Sequence, residues 1–179
     1  MSTSVSIRTA NFDDAQRLAE VAEKTFPLAC PPTANPNEMA DFIADRLSPE
    51  QFRDYLGDSA RLLLVAEYDN KVCGYSMFVR AEVQDSEVAT ALSIYPTVEL
   101  SKCYVLPEHH GKGIAGELII VTLDAARREG ASGMWLGVNQ HNARAIRFYE
   151  KNGFSRVGFK TFEVSAQVHN DFIMEKALN

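Results

Sequence analysis

The chain is poor in what several protein classes require. It has three cysteines in 179 residues, Cys30, Cys73 and Cys103, an odd and scattered set. That is no disulfide framework, and it points to reduced thiols in a cytoplasmic setting. No apolar run approaches the roughly 18 residues of a membrane span. The N-terminus lacks the basic and apolar regions of a signal peptide, so no membrane partner is expected. Positive charge is short, with 18 Lys and Arg against 24 Asp and Glu, a net charge of −6. A nucleic-acid binder carries a basic face. This balance argues against nucleic acid and suits a small cationic partner. None of the four histidines, His109, His110, His141 and His169, shares a helical turn with a second ligand type at zinc spacing, so no metal site is expected. Repeats, low-complexity tracts and a second-domain linker are also missing. At 46% hydrophobic, residues 1–179 suffice for one domain with a full core.

What is present reads as an α/β chain. Val5–Arg8 alternates as a first strand, and Asn11 caps a helix expected to end near Phe26. Pro27, Pro31, Pro32 and Pro36 then predict a loop. A second helix is expected from Asn37, and a third from Ser48 as N-cap with Pro49 at its first position. Residues 38–58 carry six acids (Glu38, Asp41, Asp45, Glu50, Asp54, Asp58) against Arg46 and Arg53. They read as a solvated helix face, with a substrate-steering patch as the alternative. Arg61–Tyr68 and Val72–Arg80 are strands joined by a turn at Asp69-Asn70-Lys71. Residues 82–94 are polar and aperiodic and read as a loop or ragged strand ends. Tyr95–Val105 is a strand. Ile114, Leu118, Val121 and Ala125 predict the buried stripe of the next helix, which Gly130 stops. Met134–Val138 is a short buried strand and Asn142–Asn152 the last helix. Phe154–Val164 and Asp171–Lys176 close the chain as a strand pair.

One stretch, Cys103 to Leu118, organises the rest. It begins as a strand, turns at Pro107, passes Gly111, Gly113 and Gly116, and becomes an amphipathic helix. Glycines there let several backbone N–H groups converge at a helix N-terminus, where the macrodipole favours an anion. Lys112 adds a cation. The pattern suits a diphosphate, although an ordinary glycine-rich turn has the same spacing. A P-loop is excluded, because Gly-Lys-Gly-Ile does not supply its Gly-Lys-Ser/Thr ending. The G-x-G-x-x-G spacing of Gly111–Gly116 matches a dinucleotide fingerprint. However, it lies two-thirds along the chain, and no acidic residue closes a second strand about 20 residues on.

Val105 to Ala115, with His110-Gly111-Lys112-Gly113-Ile114-Ala115 at its end, resembles the pyrophosphate loop of the GNAT N-acetyltransferase superfamily, Q/R-x-x-G-x-G/A. Trp135-Leu136-Gly137-Val138, then Asn142, then Ala145 to Phe154 with Tyr149 seven residues after Asn142, resembles that family's second acetyl-CoA motif. The departure is His110, where the family usually has Gln or Arg. The resemblance implies a single-domain mixed sheet of about seven strands flanked by helices. Its fourth and fifth strands would be parallel and splayed, with acetyl-CoA in the cleft as co-substrate. It implies coenzyme contacts from His110, Gly111, Lys112, Gly113, Ile114, Ala115 and Gly116. Backbone contacts to the pantetheine arm and acetyl group would come from Cys103, Tyr104 and Val105, and a further contact from Asn142. Lys151 could reach a phosphate or be a solvated lysine.

Acetyl transfer to an amine needs a held diphosphate, a polarised carbonyl, a neutral amine and a proton for the leaving thiolate. Tyr149 is the expected acid; a tyrosine of pKa about 10 is protonated at neutral pH. Its alternative role is a buried aromatic. Glu99 is the expected base, with a water chain as alternative, and alternation would put it on one face with Ser101 and Cys103. The β-strand position where other members carry a base glutamate is Gly137 here. Cys103 lacks a partner histidine in the motif, which argues against an acetylated cysteine. The chain most resembles bacterial polyamine acetyltransferases. A ribosomal-type N-terminal acetyltransferase and a non-catalytic acyl-CoA-binding module are the alternatives, and a homodimer is a possible assembly.

Overall fold

Asp69 and Asn70 take φ of 52° and 63°, the left-handed pair that a two-residue hairpin turn requires. They join β2 (Arg61–Tyr68) to β3 (Lys71–Val79) in a computed structural model that describes residues 4–164 and 167–179. The hairpin lies in a seven-stranded sheet of order β1-β2-β3-β4-β5-β7-β6, with β1 at Val5–Thr9, β4 at Thr97–Val105, β5 at Gly133–Asn139, β6 at Ser155–Val164 and β7 at Gln167–Ala177. All neighbours are antiparallel except β4 and β5.

The helices are α1 (Ala15–Ala29), α2 (Pro36–Arg46), α3 (Pro49–Gly57), α4 (Ser86–Ala91), α5 (Ile114–Arg128) and α6 (Ala143–Lys151). Asn11 caps as expected, but on a 3-10 turn, Phe12–Asp14, that leads into α1 through a capping box with Asp14. Pro27 does not end α1; it sits exposed in the last turn, where the carbonyl it leaves unpaired can turn to water. The second helix starts one residue earlier than expected, with Asn35 Oδ1 accepting from Asn37 N at 2.8 Å and Pro36 at the first position. Ser48 caps α3 by accepting from Gln51 N at 3.1 Å. The polar stretch 82–94 contains α4, which Asp85 caps. Val88 and Leu92 anchor it on Trp135 and Ile173, with the smaller Ala91 packed beside them, too few large apolar residues to produce a period.

The core divides along the sheet. One half gathers Leu18, Ala22, Phe52, Tyr75 and Met77 under α1 and α3. The other gathers Leu100, Met134, Leu136, Ile146 and Met174 under α5 and α6. Helix α5 spans both, with Ile114 and Leu118 in the first and Ile119 and Ala126 in the second. Its buried face is therefore rotated from the expected stripe. Val121 is exposed and Thr122 is buried, donating to Leu118 O at 2.6 Å and lying 2.8 Å from Ser76 Oγ. A threonine that satisfies its hydroxyl within the helix can occupy a core position that hydrophobicity alone gives to Val121.

Candidate active site

Strands β4 and β5 pair only through Thr97, Val98 and Glu99, against Gly133, Met134 and Trp135. Beyond Glu99 they part, and the backbone from Leu100 to Val105 has no β5 partner. On its other side β4 stays bound to β3 as far as Val105. A cleft of about 1030 Å³ occupies the gap, lined by residues of β4, β5, α6, β6, β7, and the end of α1 with α2.

The pairing of β3 with β4 slips between Met77 and Phe78, so Lys102 faces Met77 while Leu100 faces Phe78. Ser101 is the extra residue of a bulge. Partners across a ladder point to one face. Glu99, Lys102 and Tyr104 therefore share the face of Val79, Met77 and Tyr75, and the Tyr75 and Tyr104 rings lie 6.0 Å apart. Cys103 goes to the opposite face, beside Ser76. This corrects the expectation that Glu99 shares a face with Ser101 and Cys103; the bulge breaks the alternation.

The loop after β4 ends at the N-terminus of α5. Gly111 and Gly113 take φ of +81° and +79°, and Gly113 is the N-cap, without a side-chain cap bond. Nothing stands within 4 Å of where a Cβ would sit on Gly111, Gly113 or Gly116. An anion could approach the unpaired N–H groups of the first turn unobstructed. His110 lines the cleft and lies with Nε2 2.7 Å from Val105 O. A carbonyl only accepts, so Nε2 carries the proton, and the ring ties the loop back to β4. Ala115 also lines the cleft, while Ile114 is buried and offers only its backbone. Lys112 is exposed, with Nζ 4.5 Å from the centre of the Tyr68 ring. Lys151 lies exposed at the end of α6 and is not among the cleft-lining residues.

Asn142 caps α6, its Oδ1 accepting from Ala145 N at 3.2 Å. That leaves the amide nitrogen to donate into the cleft. Two turns on, Tyr149 lines the same cleft and packs against Phe148 and Phe154, with ring centres at 5.3 and 5.7 Å. Burial, with Cys103 and Tyr104 nearby, holds its hydroxyl well above 10. Burial also pushes Cys103 and Tyr104 each up to about 12. Burial raises Glu99 from the ordinary 4.5, opposed by Lys160, Arg61 and Lys102. It lowers Lys102 to about 8, with Arg61 acting in the same direction and Glu99 against it.

A model of the acetyltransferase (GNAT) family matches residues 18–154, the span that holds the splayed strands, the glycine loop and Tyr149. The chain belongs to the GNAT acetyltransferase family. An uncharacterized N-acetyltransferase of Mycobacterium tuberculosis is 44% identical over 165 residues, 92% of this chain and 98% of that one. The PaiA N-acetyltransferase of Thermoplasma acidophilum, solved in complex with coenzyme A, superposes with a TM-score of 0.77 at 24% identity over 97% and 99% of the two chains. YncA of Salmonella typhimurium, a putative acetyltransferase solved with acetyl-CoA, gives 0.65 at 25% identity over 98% and 94%.

In this GNAT protein the cleft brings together Glu99, Cys103, Tyr104, Val105, His110, Ala115, Asn142 and Tyr149. It also holds groups that sequence reasoning did not assign. Phe26 and Phe42, stacked at 4.5 Å, join α1 to α2 as one wall. Lys160, His169 and Asp171 come from β6 and β7. Asp171 was legible only as a strand residue, because the insertion of β7 between β5 and β6 leaves no mark on periodicity.

Proposed function

We propose that the chain is an acetyl-CoA-dependent N-acetyltransferase that passes the acetyl group directly to a small primary amine, a polyamine or similar cation, in a ternary complex. The parting of β4 from β5 beside an open glycine turn carries this reading. In it, the Gly111–Gly116 loop holds the diphosphate, with Lys112 as a nearby cation. The backbone of Cys103, Tyr104 and Val105, on the side where β4 has no β5 partner, takes the pantetheine arm and acetyl carbonyl, where an N–H stabilises the oxyanion. Asn142 Nδ2 donates to a pantetheine carbonyl. The acetyl-CoA bound to YncA of Salmonella supports the choice of co-substrate.

The amine nitrogen attacks the thioester carbonyl and the C–S bond breaks. Tyr149 gives its proton to the departing sulfur, and Glu99, directly or through water, takes the proton that the amine loses. Cys103 is held as a neutral thiol at any ordinary pH, which favours direct transfer over an acetylated cysteine. The net charge of −6 and the carboxylates of Glu38, Glu99 and Asp171 along the cleft support a cationic acceptor. The test is thiol release from acetyl-CoA over a panel of amines. Spermidine should exceed a neutral-bodied monoamine. Release only with peptides would assign an N-terminal acetyltransferase, and binding without release would assign an acyl-CoA sensor.

A further inference from the structure

Gly137 is exposed in the middle of β5, between Leu136 and Val138, which are buried under α5 and α6. By alternation it faces the other side of the sheet, together with Trp135. Its β7 partner Ile173 lies on that side, and so does Asp171 two residues away, with Lys160 opposite Asp171 on β6. A Cβ on Gly137 would lie 3.6 Å from Asp171 Oδ2 and 3.6 Å from Lys160 Cδ. The carboxylate and the lysine thus reach into the space that a side chain at 137 would fill, and all three residues line the cleft. Glu99, paired with Trp135 across the last rung of β4 and β5, looks out on the same side.

We propose that Asp171 seats a cationic nitrogen of the acceptor, and that Gly137 is the specificity determinant that leaves this carboxylate uncovered. The proposal rests on the reading of the cleft as an amine-acceptor site and names a residue that binds the acceptor there. Lys160, on β6, and His169, on β7, are the charged or titratable groups that act on Asp171, and Lys160 acts on Glu99 as well. No ion pair within 4 Å joins Lys160 to either carboxylate among the described residues. Lys160 therefore serves as a loose internal cation, and an incoming ammonium shares or takes over its place.

That relation fixes the sign of the test, which is steady-state kinetics with spermidine and acetyl-CoA varied separately. Asp171→Asn should raise the KM for spermidine by roughly tenfold or more, the factor of one charge-assisted hydrogen bond, and leave the KM for acetyl-CoA unchanged. Gly137→Ala meets only ordinary van der Waals distances, so its thermal midpoint and acetyl-CoA affinity should match the parent. Gly137→Val, which suits a strand, should cover the carboxylate and reproduce the Asp171→Asn defect. Lys160→Met should lower the KM for spermidine by removing the competing cation. An unchanged spermidine KM in Asp171→Asn or Gly137→Val overturns the proposal. So does a raised spermidine KM in Lys160→Met, which would mean that the lysine supports the acceptor site rather than competing with the ammonium for Asp171. Amine-dependent thiol release by the parent enzyme tests the acetyltransferase reading separately, so the two can fail independently.

Discussion

Tyr149 and Glu99 face one cleft, and the same force, loss of water, moves both their pKa values upward. The consequences are opposite. Raising a phenol keeps it protonated, so Tyr149 is a hydrogen-bond donor at every working pH. Tyr149→Phe should lower kcat by ~10²–10⁴-fold, and the ratio to the parent should stay flat from pH 6 to about 9, as rate profiles would show. Raising a carboxyl delays its ionisation, so a base at Glu99 loses activity as pH falls through a value above the ordinary 4.5. Glu99→Gln should move the rise of kcat/KM to higher pH, toward the amine's own pKa of about 10. A profile that overlays the parent's would assign the proton to water. The sequence pointed to Tyr149 through a motif and to Glu99 through its place on the strand before the loop, and it could not name their environments. His110 shows the gap: one tie to Val105 O decides what its ring does, and a tertiary contact of that kind has no sequence pattern.

Among the elements, the α5 and α6 N-termini divide the coenzyme contacts in the proposed reading. Gly113 has φ +79°, a conformation that costs other residues roughly 1–2 kcal/mol. Gly113→Val should therefore lower the thermal midpoint somewhat and weaken acetyl-CoA binding by at least about tenfold, measured by calorimetric titration. Unchanged affinity would remove the loop from the site. Asn142 combines a cap and a donor. Asn142→Asp keeps an oxygen for Ala145 N–H and loses the Nδ2 donor, so it should raise the KM for acetyl-CoA with little change in midpoint. Asn142→Ala should in addition lose the cap, about 1 kcal/mol. Chain-local signals made these elements readable: the Ser48-Pro49 start, the Asp69-Asn70 turn and the glycine run before α5. The β4 bulge escaped them because an extra residue at Ser101 is visible only against β3. The short α4 escaped because its anchors lie on β5 and β7.

For the molecule as a whole, the mixed sheet and its splayed pair followed from the family resemblance of two motifs, and pairing shows the parting after Glu99. The acidic patch is divided: of the six acids between 38 and 58, only Glu38 lines the cleft, and the other five lie exposed on helices or the adjoining turn. Long-range steering by a net charge of −6 is screened over about 8–10 Å at physiological salt. The spermidine advantage in kcat/KM over a monoamine should thus narrow as salt is added, yet not vanish, since Glu99 and Asp171 are sheltered within the cleft.

Direct transfer in a ternary complex is tested most directly by initial rates of thiol release with acetyl-CoA and spermidine varied together. The geometry, with Cys103 neutral and Tyr149 beside the cleft, predicts double-reciprocal lines that intersect. Parallel lines, with an acetyl group found on Cys103 in the enzyme incubated with acetyl-CoA alone, would contradict it.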